Sequence, residues 1–166
     1  MLSHMSRRQP IVAVCGGGEA SARIRDLAEA AGFELARRGA LVISGGLGGV
    51  MEACCKGAKR AGGTTVGILP STTTAAANDY VDVPIASGMS HGRNSIIVHT
   101  ADAILALPGS YGTLSEIALA LTMGKTVVAL GETWAIPGLE RADSLESAVE
   151  RLLTAANEGR TMEPTI

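Results

Sequence analysis

A chain of 166 residues with net charge −2, 46 % hydrophobic, 18 % charged and 2 % aromatic residues is sized and composed for one folded domain with a substantial core. That balance excludes a disordered chain, and slight acidity with so few aromatics argues against a nucleic-acid face or a base-stacking platform. No apolar run reaches the ~18 residues a membrane-spanning helix needs. The N-terminus lacks the apolar centre and small-residue cleavage site of a leader peptide, so a cytoplasmic protein is expected.

Residues 1–9 read as a tag-like or disordered lead, with Ser3-His4-Met5 set aside from fold reasoning. Ile11 to Cys15 is a continuous apolar run, the pattern of a strand buried on both faces, and Gly16-Gly17-Gly18 breaks it. Ser21 then caps a helix to about Arg38, with Ile24, Leu27, Ala28, Ala31, Leu35 and Ala36 on one stripe and Gly39 as its stop. Leu41 to Ser44 forms a second strand. Gly45-Gly46-Leu47-Gly48-Gly49 leads from it into a helix that ends near Ala61, and Thr65 to Leu69 is a third strand closed by Pro70.

Ser71 to Tyr80 is small, polar and aperiodic, so it reads as a loop and a candidate flap. A short fourth strand is expected around Ile85, within Val81 to Ala86, and Ser90 is placed to cap a helix to about Thr100. Ala103 to Leu107 is the fifth strand, stopped by Pro108. The loop Gly109-Ser110-Tyr111-Gly112 follows it, and a helix is expected from Thr113, with Glu116 in its first turn. Lys125 to Leu130 is a sixth strand. After a loop with Trp134, Pro137 and Gly138, Asp143 or Ser144 caps a last amphipathic helix to about Ala156, and the tail from Asn157 is expected to be loose.

Apolar strands alternating with helices predict an α/β domain over residues 10–157, a doubly wound parallel sheet of six to seven strands with helices on both faces, and a tail over 158–166. Cys15, Cys54 and Cys55 are odd in number and have no CxxC spacing, so they read as small core residues. The histidines show no metal-ligand spacing. Many aliphatic residues on short helices leave apolar faces that predict a homo-oligomer, a homodimer or homotetramer.

In such sheets ligands bind beyond the carboxyl ends of the strands, where the strand order reverses. Three strands here end in glycine clusters, after Cys15, Ser44 and Pro108, and their ends would form one glycine-lined pocket. A strand running into a glycine loop and a helix N-terminus makes an anion site, because unpaired N–H groups and the helix dipole face the ligand. Two bland explanations stand beside this one. The glycines serve equally as tight turns, and Thr113-Leu-Ser-Glu116 also fits a capping box.

A dinucleotide fingerprint is incomplete: Ser21 replaces the third glycine of GxGxxG, and the second strand ends in Ser44-Gly45 with no ribose-binding acid. No GxxxxGK[ST] loop exists either. A smaller phosphorylated ligand fits better, with no cofactor required. Arg93 falls in a first helical turn, where the dipole disfavours a cation unless an anion binds there. A solvated surface arginine is the alternative. Glu116 at a helix N-terminus is expected to favour its ionised form. Together the two have the parts to open an N-glycosidic bond, a carboxylate supporting an oxocarbenium-like sugar while a guanidinium holds phosphate.

Pro108-Gly-Ser-Tyr-Gly-Thr-Leu-Ser-Glu116, the glycine-rich segment Ser44 to Met51 and the upstream Arg93 resemble the superfamily of the cytokinin-activating "lonely guy" phosphoribohydrolases, also called lysine decarboxylase-like, whose hallmark is PGGxGTxxE. The resemblance covers roughly residues 10 to 130. It implies a Rossmann-like fold and a dimer or tetramer, with the helix from Thr113 to Met123 buried or interfacial. It assigns Arg93 and Glu116 to catalysis, and Gly45, Gly46, Gly48, Gly109, Gly112 and Thr113 to phosphate and ribose contacts. Gly16, Gly17, Asn94 and Ser110 line the same expected pocket. Two positions depart from the pattern: Asn94 stands where the enzymes have lysine, and Ser110 where they have glycine. The Arg-Asn variant is closer to a shorter branch resembling molybdenum cofactor carrier proteins, which implies binding of a pterin phosphate without turnover.

Overall fold

The computed structural model describes residues 8–159. The apolar runs become strands β1 (Ile11–Cys15), β2 (Leu41–Ser44), β3 (Thr65–Leu69), β4 (Val83–Ala86), β5 (Ala103–Ala106), β6 (Val127–Ala129) and β7 (Glu140–Arg141). Helices α1 (Ala22–Arg37), α2 (Val50–Arg60), α3 (Arg93–Thr100), α4 (Tyr111–Thr122) and α5 (Leu145–Gly159) connect or follow them. The strands pair in parallel in the order β4-β3-β2-β1-β5-β6-β7. The α/β sheet predicted from the alternating pattern is therefore present, with seven strands. The order reverses at β1, which lies between β2 and β5, so the three glycine-terminated strands are neighbours.

Alternation along β1 assigns the faces, because successive side chains point to opposite sides of a sheet. Val12 and Val14 join Leu35, Cys54, Val149 and Leu152 in the layer under α1, α2 and α5. Ala13 and Cys15 join Ile97, Val98, Ile117 and Ala120 under α3 and α4. Parallel strands covered on both faces need continuous apolar sequence, which is why β1, β2 and β5 were plain as apolar runs. Helices α1 and α2 cross at glycine contacts; a Cβ added at Gly57 would stand 2.7 Å from the carbonyl carbon of Glu29. All three cysteines are buried and free, as small core residues.

Several boundaries differ from expectation for identifiable reasons. Ser21 does cap α1, accepting from the Ile24 N–H at 3.4 Å. Ser90 does not cap α3: it adopts φ 51° in a short 3₁₀ turn, Ser90–Gly92, with its N–H bound to Pro70 O at 2.9 Å, and Gly92 stands at the cap of α3. Helix α4 begins at Tyr111 rather than Thr113. β7 was missed because two charged residues give no apolar signal; its backbone alone pairs it with β6. Ser144 caps the last helix through the Ser147 N–H at 3.2 Å. That helix continues to Gly159, so the residues just past Asn157 are helical rather than loose.

At the other end Arg8, expected within a disordered lead, is ion-paired with Asp102 at 2.7 Å. The remaining terminal expectations, for 1–7 and 160–166, lie outside the described residues. The Ser71–Tyr80 segment is a loop, tied down by Asn78, whose N–H reaches Gly46 O and whose amide reaches Leu47 O, both at 2.9 Å. Among the described residues no helix is long and apolar enough to cross a membrane.

Candidate functional site

The turns after β1, β2 and β5 lock together through their backbones. The Gly17 N–H donates to Pro108 O at 3.0 Å, and Gly17 O accepts from the Val50 N–H at 2.9 Å. Gly16 packs against the Val50 side chain, and Gly48 lies beside Gly18 O. In the turn after β2, the Gly46 N–H donates to Ser44 Oγ at 3.2 Å. A groove of ≈ 450 Å³ lined by Gly17, Gly18, Ser21, Ile24, Gly109 and Ser110 opens on the α1 side of these turns.

Two glycines make room for particular side chains. A Cβ on Gly45 would collide with Nη2 of Arg93 and stand 2.6 Å from Met51 Sδ. A Cβ on Gly109 would collide with Thr113 Oγ1 and lie 2.9 Å from the Gly17 nitrogen. Glycine is thus required at both because side chains from α3 and α4 occupy the space a Cβ would take.

Helix α4 delivers Thr113 and Glu116 inward, 3 % and 6 % exposed. The capping box expected between them does not form. The helix starts two residues earlier, Thr113 packs under Gly109, and Glu116 turns toward α3. Ser110 occupies the N-cap position without making a side-chain cap, so the first-turn N–H groups have no side-chain partner there. That leaves the anion-binding capacity of this helix end in place.

Arg93 opens α3, and its Nη1 stands 4.0 Å from Glu116 Oε1. The same Nη1 donates to Asn94 Oδ1 at 2.6 Å, while Nε is buried without a hydrogen-bond partner. A solvated surface arginine is therefore not what the fold contains. Cys15, at the end of β1, is near enough to Glu116 for the two groups to shift each other's titration.

Burial pushes the Glu116 carboxyl up to about 7, against the opposing pull of the Arg93 charge and the Cys15 thiol. The helix-terminus argument had favoured the ionised form. Burial outweighs it, because Glu116 lies beyond the first three N–H groups of α4 and out of water. Burial likewise lowers Arg93 from its usual value and raises the Cys15 thiol.

The expected residues Arg93, Glu116, Gly45, Gly109 and Thr113 thus converge at the carboxyl ends of β2, β1 and β5. Gly112 borders them, and its carbonyl accepts from Ser115 Oγ at 2.7 Å. Asn94, expected to line the pocket, has its amide hydrogen-bonded to Arg93, Ser115 and Gly112. Cys15 and Ser115 were not anticipated. Position was the available signal for the first, since Cys15 is the last residue of a strand running into a glycine turn.

A doubly wound α/β domain with a guanidinium–carboxyl pair over glycine turns at the switch point is the class of protein that these features define. The chain belongs to the SLOG cluster4 family, whose profile matches residues 9–159. An uncharacterised protein of Archaeoglobus fulgidus is 43 % identical over 87 % of this chain and 95 % of its own length. A probable cytokinin riboside 5′-monophosphate phosphoribohydrolase of Oryza sativa is 34 % identical over 69 % of this chain, which spans 52 % of that protein.

Among solved structures, a molybdenum cofactor binding protein from Rippkaea orientalis is similar with TM-score 0.83 and 35 % identity, over 89 % of this chain and 98 % of that one. The Moco carrier protein of Chlamydomonas reinhardtii is similar with TM-score 0.82 and 31 % identity, over 91 % and 99 %. The family expected from the PGGxGTxxE-like motif is therefore the family found.

Proposed function

We propose that this chain binds a phosphorylated, nucleotide-like ligand over the three glycine turns and hydrolyses the N-glycosidic bond of a nucleoside 5′-monophosphate. The observation that carries this reading is a buried carboxyl at about 7, standing 4.0 Å from a partly buried guanidinium. Near neutral pH such a group is present in both protonation states, as a general acid–base residue requires. The neutral form gives its proton to the base nitrogen as the C1′–N bond breaks and its electron pair leaves with the base. The resulting carboxylate stabilises the oxocarbenium-like sugar and takes a proton from the water that adds to C1′. Free base and ribose 5-phosphate result. Arg93, with a buried Nε still to be satisfied, and the uncapped start of α4 hold the phosphate. Incubation with AMP and chromatography for adenine tests the reading, and full recovery of AMP would reject hydrolysis of that substrate.

A second reading has its own observation. At position 94 an amide engaged by protein groups stands where the resemblance has a lysine, so this site carries one cation fewer. Solved structures matched almost end to end include a molybdenum cofactor binding protein and a Moco carrier protein. In this reading the same turns hold a pterin phosphate as cargo. Tight binding of molybdopterin with no release of base from AMP would select it. Exposed Tyr111 and Leu119 on α4 and Val83 and Ile85 on β4 support a homodimer or homotetramer, which light scattering would read directly.

A further inference from the structure

Asn94 is 5 % exposed and lies between the two helices that build the site. Its Oδ1 accepts from Arg93 Nη1 at 2.6 Å. Its Nδ2 donates to Ser115 Oγ at 2.8 Å and, more weakly, toward Gly112 O at 3.4 Å. Ser115 Oγ in turn donates to Gly112 O at 2.7 Å, in the first turn of α4. An unbroken chain of hydrogen bonds therefore runs from the guanidinium of α3 to the first turn of α4, from which N–H groups face the phosphate in the reading above. At Asn94, which is buried, both the amide oxygen and the amide nitrogen would otherwise be left unsatisfied. A lysine at this position has no acceptor and could not hold a guanidinium.

We propose that Asn94 is a positioning residue. Its amide, relayed by Ser115, holds the Arg93 guanidinium in register with the α4 N-terminus, so that both meet one phosphate group together. The inference rests on the proposed phosphate site for its consequence but not for its geometry, and the two can be tested apart. Arg93 has a conformational choice that the bridge removes: Nη1 is held by Asn94 and Nη2 lies over Gly45. Without the acceptor, rotation about the terminal guanidinium bonds becomes free.

The test uses the whole chain, labelled with ¹⁵N, in two variants: Asn94→Ala, and Ser115→Ala at an exposed position whose substitution leaves the core untouched. In the unliganded protein, the Nη protons of Arg93 give separate, slowly exchanging NMR signals in the wild type and merge into one averaged signal in Asn94→Ala. Isothermal titration with AMP shows affinity about tenfold weaker in Asn94→Ala and several-fold weaker in Ser115→Ala. The double variant is no weaker than Asn94→Ala alone, because both remove the same link. Should Asn94→Ala not fold, Ser115→Ala alone decides, through its looser Arg93 signals and weaker binding. Arg93 signals and AMP affinity unchanged in either folded variant would overturn the proposal. Arg93 signals that respond as expected in a wild type that binds no monophosphate would leave the bridge standing and reject the phosphate site instead.

Discussion

Arg93, the first residue of α3 and partly buried, and Glu116, buried in the second turn of α4, bring their charged ends to 4.0 Å of each other. Only the packing of α3 beside α4 over β1 and β5 creates this pair. Neither helix alone has a reason to point a charged side chain inward.

The first consequence is a pH dependence of stability carried by Glu116. Its folded-state value, about 7, lies above the usual value of 4.5, so between those limits the folded state binds the proton and the unfolded state does not. Stability from this group is complete below about pH 4.5 and is lost as pH rises through 7. Glu116→Gln imitates the neutral form at every pH. Its stability relative to wild type should therefore rise by about 3 kcal/mol between pH 4 and pH 8. Urea melts at the two pH values measure this, and a constant difference would contradict the assignment.

The same substitution addresses chemistry. Glutamine cannot transfer a proton, so release of base from a monophosphate substrate should fall by about 100-fold or more. Binding of the ligand should persist. Turnover assays beside titration calorimetry separate the two, and undiminished turnover would exclude Glu116 from the reaction.

Removing the guanidinium acts differently. Arg93→Ala should weaken monophosphate binding by about 10- to 100-fold, the worth of a charge-assisted contact. It also deletes the positive charge that holds Glu116 down, so the Glu116 midpoint should move above 7. Titration of ¹³C-labelled glutamate by NMR follows that shift. A midpoint that stays still would mean that the two groups do not interact in solution.

Glycine positions offer a contrast between site and scaffold. Gly45→Ala places a methyl where Nη2 of Arg93 lies and should displace the guanidinium, reducing ligand affinity more than stability. Gly57→Ala forces α1 and α2 apart and should cost about 1–3 kcal/mol of stability with affinity unchanged. Thermal melts and calorimetry on both proteins check the pairing. Equal effects on both readouts in both variants would remove the distinction drawn here.

A further check concerns Lys125, whose Nζ donates to the carbonyls of Val98, His99 and Ala101 at 2.6, 2.8 and 2.5 Å and so closes the end of α3. Lys125→Met keeps the side-chain stem but leaves those acceptors without this partner. A loss of about 1–3 kcal/mol is expected, measured by urea unfolding.

The sequence by itself determined the sheet, the positions of its glycine turns and the residues Arg93 and Glu116. Buried parallel strands must be written as continuous apolar runs, and turns that admit a close neighbour must be written as glycine. Local pattern also specified Ser21 as a helix cap, since that interaction spans only three residues.

Tertiary structure decided what local pattern could not. Ser90 was drawn into a 3₁₀ turn tied by its N–H to the β3–β4 connection, leaving Gly92 at the α3 cap, and Thr113 and Glu116 gave up a local capping box for packing under Gly109 and toward Arg93. Glu116 became a carboxyl near 7 because burial between α3, α4 and Cys15 outweighed the helix end, and burial is a property of packing rather than of spacing. Asn94 shows the same limit. Its residue type promised a polar contact, but its partners became visible only once α3 and α4 were folded side by side.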